Sequence, residues 1–201
     1  MKLVIASNNA HKVREIRQIL TPWYQDVLTM KDAGLSLDVA EDGQTFEENS
    51  LKKAQAVFDA LGGKCAVLAD DSGLSVDALG GAPGVLSARY AVEHDDAANN
   101  EKLLKEMQNV PDNERGARFV CVVTLIQPGK EPLVLRGECE GMIARSLSGQ
   151  NGFGYDPLFY VPALGKTFSE LSDEEKNAVS HRGNALALLR SALESESKWQ
   201  A

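Results

Sequence analysis

The sequence predicts an α/β fold with a mixed β-sheet, and three observations carry that expectation. The chain opens with a strand, a polar turn and a helix. A second apolar strand follows a second helix. Further on, two longer apolar runs flank a Pro-Gly turn and suggest an antiparallel pair. With 201 residues and 43% hydrophobic content the chain can bury a full core without staples, as one ordinary domain or one domain with two lobes around a cleft. No period of roughly 20–50 residues repeats and no Pro/Gly/Ser linker divides it, so a single domain over residues 1–201 is expected.

The elements follow in order. Residues 2–6 contain Leu3-Val4-Ile5-Ala6 and read as a strand. After Ser7 to Lys12, Val13, Ile16, Ile19 and Leu20 fall on one face of a helix. Thr45-Phe46-Glu47-Glu48 has the Thr-x-x-Glu form of a capping box and starts a second helix, which runs to about Leu61 and stops at Gly62-Gly63. Cys65 to Ala69 reads as a buried strand ending in Asp70-Asp71-Ser72-Gly73, a sequence that offers a turn. Gly80-Gly81-Ala82-Pro83-Gly84 is expected as a loop, with a helix near residues 95–108 after it. Arg118 to Gln127 and Leu133 to Ala144 are the two long strands. Ser172-Asp173-Glu174-Glu175 is a second capping box, and the last helix begins anew near Ser180 with Leu186, Leu189 and Leu193 on one face.

Composition excludes several classes. The three cysteines, Cys65, Cys121 and Cys139, are widely spaced in apolar stretches and form neither a disulfide framework nor a CxxC metal pair, which leaves buried inert thiols in a reducing compartment. Met1 leads straight into a short strand rather than a signal peptide, and no apolar run approaches the roughly 20 residues of a membrane helix, so a cytoplasmic protein without membrane contact is expected. A net charge of −8 argues against a broad nucleic-acid surface, so a polyanionic ligand must be held by a local basic cluster.

Four places could carry chemistry. Asp70 and Asp71, with Glu41 and Glu48 upstream, supply oxygen-only ligands suited to Mg²⁺. Strand alternation keeps the two aspartates out of one site unless the chain turns between them, and the tetrapeptide taken alone is better read as an ordinary turn. Ser7-Asn8-Asn9-Ala10-His11-Lys12 joins a strand to a helix N-terminus, where amides, a hydroxyl and an ammonium make an anion site or a simple N-cap. Lys52 and Lys53 lie on the second helix. In Gly152-Phe153-Gly154-Tyr155-Asp156-Pro157 glycines would let backbone approach a flat ligand beside a stacking ring. Lys176 and Ser180-His181-Arg182-Gly183 offer donors for a base carbonyl or phosphate.

Taken in order along nearly the whole chain, these motifs, with Thr45 to Asn49, Asp70 to Leu74 and Gly80 to Gly84, resemble the inosine/xanthosine triphosphate pyrophosphatase family, its bacterial members above all. The resemblance implies an elongated α/β fold with two lobes around a central substrate cleft, a homodimer, Mg²⁺ dependence, and hydrolysis of ITP, dITP and XTP to monophosphate and pyrophosphate. Carried over by position, Ser7, Asn8, Asn9, Ala10, His11, Lys12 and Lys53 bind the triphosphate. Glu41 and Asp71 hold the metal, although Glu41-Asp42-Gly43 lies in a loop, and Asp42 or Glu48 could take the role of Glu41. Asp71 is also the expected general base, and Ser72 touches the substrate. Phe153, Gly154, Tyr155, Asp156, Lys176, His181 and Arg182 surround the base and sugar. Ser7 stands where Thr is common in the family and keeps its hydroxyl. A nucleotide sensor using the same pocket without turnover would have no need of Asp71, and a pyrimidine-directed hydrolase would be separated by a substrate panel.

Overall fold

The computed structural model describes residues 2–21, 23–24 and 26–199. Its strands are β1 (Lys2–Ala6), β2 (Asp26–Thr29), β3 (Ala66–Val76), β4 (Gly116–Ile126), β5 (Leu133–Ile143), β6 (Phe159–Val161) and β7 (Lys166–Thr167). Its α-helices are α1 (Ala10–Leu20), α2 (Phe46–Ala60), α3 (Asp96–Glu106), α4 (Asp173–Val179) and α5 (His181–Trp199). The strands form one open sheet in the order β2-β1-β3-β4-β5-β6-β7. β1 runs parallel to both β2 and β3, whereas β6 is antiparallel to β5 and to β7. The six-residue link between β4 and β5 is too short for a parallel crossover, so that neighbouring pair is antiparallel as expected. The sheet is therefore mixed.

The chain divides into two compact units, one of residues up to Asp71, Cys121–Gly137 and Arg182 onward, the other of Ser72–Val120 and Glu138–His181. In the first unit strand alternation sorts the core by face. Leu3, Ile5, Ala66 and Leu68 pack with Val13, Ile16 and Leu20 of α1 and Ala185, Leu186 and Leu189 of α5. Val4, Ala6, Val67 and Ala69 pack instead with Ala54 and Val57 of α2. In the second unit Leu74, Val76, Phe119, Phe159 and Phe168 share a core with Leu103 and Met107.

Helix ends follow the sequence. Asn9 caps α1, its side chain accepting the His11 and Lys12 amides. The capping boxes at Thr45/Glu48 and Ser172/Glu175 are both formed, and α2 ends at Leu61, where Gly62 and Gly63 take positive φ. Ser180, in extended backbone, separates α4 from α5.

One expectation is corrected. Asp70-Asp71-Ser72-Gly73 is not a turn: β3 runs through it to Val76. Isolated aspartates disfavour strands, but here each carboxylate meets a cation on its own face of the sheet. Two smaller differences concern Cys65, which precedes β3 and is only half-buried, and Gly84, which opens a 3-10 turn over Gly84–Arg89. No described helix is long and apolar enough to cross a membrane.

Candidate active site

Because β3 continues through both aspartates, alternation sends Asp70 to the face of α1 and α5 and Asp71 to the face of α2. Asp70 is fully buried. Its Oδ1 meets Lys12 Nζ at 2.5 Å, and its Oδ2 accepts from Arg182 Nε and from the Cys121 thiol, both at 2.9 Å. Burial alone would raise its pKa, but Arg182 and Lys12 hold it well below the ordinary carboxylate value. Arg182, 1% exposed, also pairs with Glu15; burial opposes its charge, and the two carboxylates keep it fully protonated.

On the other face Lys53 Nζ reaches Glu41 at 2.8 Å, the Asp70 carbonyl at 2.6 Å and Asp71 Oδ1 at 3.4 Å. One ammonium is thus shared between two carboxylates. Asp71 and Glu41 together outweigh burial at Lys53, whose pKa rises. At Asp71 burial wins, and its pKa is raised despite Lys53 and Lys12. Asp71 Oδ2 is buried with no hydrogen-bond partner among the described residues.

Of the three carboxylates that could join Asp71, only Glu41 shares Lys53 with it. Asp42 pairs with Lys52 at 2.5 Å at the surface, and Glu48 is committed to the amides of Gln44 and Thr45. Among the described residues no group of three or more His, Cys, Asp and Glu could hold a metal ion. An orphaned buried carboxylate oxygen beside a second carboxylate nevertheless fits a hard cation that completes its shell with water and phosphate oxygens.

The turn from Ser7 to Lys12 is occupied in part by its own cap. Ser7 Oγ accepts the Asn9 amide at 3.2 Å, and Asn9 Oδ1 takes the His11 and Lys12 amides at 2.9 and 3.2 Å. Asn8, Asn9, Ala10 and His11 are exposed at the helix start. Ser72, half-buried, follows Asp71 in β3.

In the second unit Asp156 organises the glycine-aromatic turn. Its Oδ2 accepts the Phe153 amide at 2.9 Å and Lys176 Nζ at 2.7 Å, and a Cβ on Gly152, whose φ is +80°, would collide with this carboxylate. Lys176 lies 4.8 Å from the centre of the Phe153 ring, and His181 stacks on Phe119 at 4.7 Å. The Gly154 amide is held by Asp96 and its carbonyl by Asn100. Tyr155 is buried in the core with its hydroxyl donating to the Ser87 carbonyl at 2.9 Å, and burial pushes its pKa up.

The Ham1 family model matches residues 3–192, almost the full length of the chain. The chain belongs to the Ham1 family. Among its Ham1 relatives, the dITP/XTP pyrophosphatase of Clostridium perfringens is 53% identical over 197 residues, 96% of this chain and 97% of the relative. That of Bacillus subtilis is 47% identical, with 95% and 96% covered. The solved Ham1 protein of Staphylococcus aureus superposes with a TM-score of 0.88 at 47% identity, covering 98% of this chain and 100% of that one.

Within this Ham1 chain the sequence reading missed Glu15, Asp70 as a buried anchor, and Asn49. Glu15 is buried at the edge of the α1 stripe that carries Val13, Ile16 and Leu20. A carboxylate bordering an apolar stripe is a weak signal for a buried partner, and its partner, Arg182, is far along the chain and cannot be paired by spacing. Arg115 was also missed. It is 3% exposed and closes the second unit by donating to the carbonyls of Met107, Ile143 and Ala144.

Proposed function

We propose that this Ham1 protein hydrolyses the non-standard purine nucleoside triphosphates ITP, dITP and XTP to the nucleoside monophosphate and pyrophosphate, clearing deaminated purines from the nucleotide pool. The observation that carries the reading is the near-full-length relation, at 53% identity, to an enzyme named for dITP and XTP. The arrangement around β3 supports it, because two lysines and a carboxylate pair stand where phosphate chemistry needs opposite charges close together.

Asp71 is the general base: its buried carboxyl, raised in pKa, accepts a proton from the water that attacks the α-phosphorus. Glu41 and Asp71 would hold Mg²⁺, which when bound neutralises charge on the substrate phosphates. Lys12 and Lys53 oppose the charge growing on the departing pyrophosphate, and positioning with charge neutralisation supplies most of the rate. Ser7, Asn8, Asn9, Ala10 and His11 line the phosphates with hydroxyl, amide and backbone donors, and Ser72 touches the substrate.

Phe153, Gly154 and Lys176 take the base and sugar. Asp156 and Tyr155 contribute by holding that turn in place. His181 or Arg182, with backbone amides, would donate to the purine 6-oxygen; Arg182 is almost wholly buried and already binds Asp70 and Glu15, so a base contact from its guanidinium requires those pairs to open. Such donors would face the 6-amino group of adenine and be left unpaired, which is a cost that discriminates strongly. Guanine shares the 6-oxygen, so its 2-amino group must be disfavoured by sterics or by missing acceptors.

The enzyme is further read as a cytoplasmic homodimer, an assignment supported by the resemblance of its motifs and checked by light scattering. The function itself is tested by pyrophosphate release from ITP, dITP, XTP, ATP, GTP and CTP with and without Mg²⁺. The reading requires metal-dependent release from the first three well above the rest. Equal release from all six, or none from ITP, would reject it.

A further inference from the structure

Asn49 and Lys53 lie one turn apart on α2 and share a helix face. Both reach the segment before the helix: Lys53 Nζ binds the Glu41 carboxylate and Asn49 Oδ1 accepts the Gly43 amide, each at 2.8 Å. The next two amides, of Gln44 and Thr45, go to Glu48. Three successive N–H groups are thus gathered by side chains of the first helical turn.

The two gatherers differ in kind. Glu48 is exposed and closes an ordinary capping box. Asn49 is completely buried, and its Nδ2 has no hydrogen-bond partner among the described residues. A buried amide with an unmet donor is a poor choice for stability alone, since an apolar group of similar shape would avoid the desolvation cost. What its oxygen accomplishes is local. Gly43 presses so close that a Cβ there would lie 2.7 Å from Asn49 Oδ1 and 2.9 Å from Glu48 Cβ, at a backbone angle that does not itself demand glycine. Glycine is therefore required at residue 43 by close approach to Asn49, two residues from Glu41.

We propose that Asn49 is a positioning residue for the divalent cation: by clamping the Gly43 amide to α2 it fixes the Glu41 carboxylate beside Asp71 and so sets metal affinity. The proposal rests on the reading of Glu41 and Asp71 as the ligand pair. Substrate contact plays no part in it: the Asn49 side chain acts through the Gly43 amide. Groups that orient a ligand without touching the metal carry a measurable share of affinity, about 10–100-fold where they have been removed.

The test uses the full chain and Mn²⁺ as probe, with free ion measured by its electron paramagnetic resonance signal in the absence of nucleotide. Asn49→Ala and, independently, Gly43→Ala should raise the Mn²⁺ dissociation constant by about 10-fold or more, while kcat at saturating metal stays within about threefold of the parent. Thr45→Ala removes the N-cap from the same helix but leaves the Gly43 clamp; it should lower Tm and leave the Mn²⁺ constant within about twofold. Glu41→Gln separates the two ideas. If it weakens Mn²⁺ binding while both clamp variants bind as the parent does, the role of Asn49 is overturned and the ligand pair stands. If Thr45→Ala weakens binding as much as Asn49→Ala, the effect belongs to helix stability and the proposal is likewise overturned. If Glu41→Gln changes nothing, the ligand pair falls and the proposal with it.

Discussion

As the proposed base, Asp71 meets two demands that pull its pKa in opposite directions. A base must hold a proton weakly enough to release it and strongly enough to take it, and burial raises the carboxyl while Lys53 and Lys12 restrain it. Asp71→Asn keeps the shape, so it should fold as the parent does but lose about 10²–10⁴-fold in kcat, the range supplied by a positioned base. Steady-state turnover near the parent's would remove Asp71 from the chemistry. Lys12 differs, because its ammonium already has a partner in Asp70. Lys12→Ala deletes the proposed charge-assisted phosphate contact, and KM for ITP should rise by about tenfold with a smaller change in kcat. Unchanged KM and kcat would make the turn from Ser7 to Lys12 purely structural.

At the scale of elements, the charged group around Asp70 ties β3 to α1 and α5. Arg182 is the largest fully buried side chain in that group, and Arg182→Leu would leave the Asp70 and Glu15 carboxylates without it. Breaking such a pair by removing one member should cost about 3–5 kcal/mol, read from urea unfolding. The pH dependence has a definite sign. The folded pKa of Asp70 lies below its unfolded value, so its contribution is complete above the ordinary carboxylate pKa of 3.8 and is lost as pH falls through the folded value. The stability gap between parent and Asp70→Asn should be full near pH 6 and shrink on acidification below about pH 4. A gap that stays constant through the acid range would contradict the pairing. These same residues show where sequence reading stops. Capping boxes and apolar periodicity place α1, α2, α4 and α5 because the information is local. Asp70 to Gly73 looks like a turn because local propensity ignores the cations that α1, α2 and α5 bring to it. β6 and β7 have three and two residues, too few to show a period, and exist only through their neighbours.

For the whole molecule, a net charge of −8 leaves few places for a triphosphate, and the two lysines proposed to meet it each have a counter-ion, Lys12 in Asp70 and Lys53 in Glu41 and Asp71; Lys176, proposed for the base and sugar, is held by Asp156. Lys12 was legible because it sits in a polar turn at a strand and helix end, whereas Lys53 and Lys176 lie within helices and were named by the order of the motifs around them. Their counter-ions were only partly legible, since Glu41 lies in a loop and sequence alone does not say that it meets Lys53 while Asp42 meets Lys52 and Glu48 the Gln44 amide. The proposed chemistry is one attack on the α-phosphorus, with Asp71 as base and pyrophosphate as the leaving group. The most direct measurement is a single turnover of ITP in ¹⁸O-labelled water, with both products analysed by mass. Label should enter IMP and be absent from pyrophosphate, the two products should form in equal amounts, and no diphosphate intermediate should appear. Label in the pyrophosphate would place the attack at the β-phosphorus and contradict the roles given to Asp71 and Lys12.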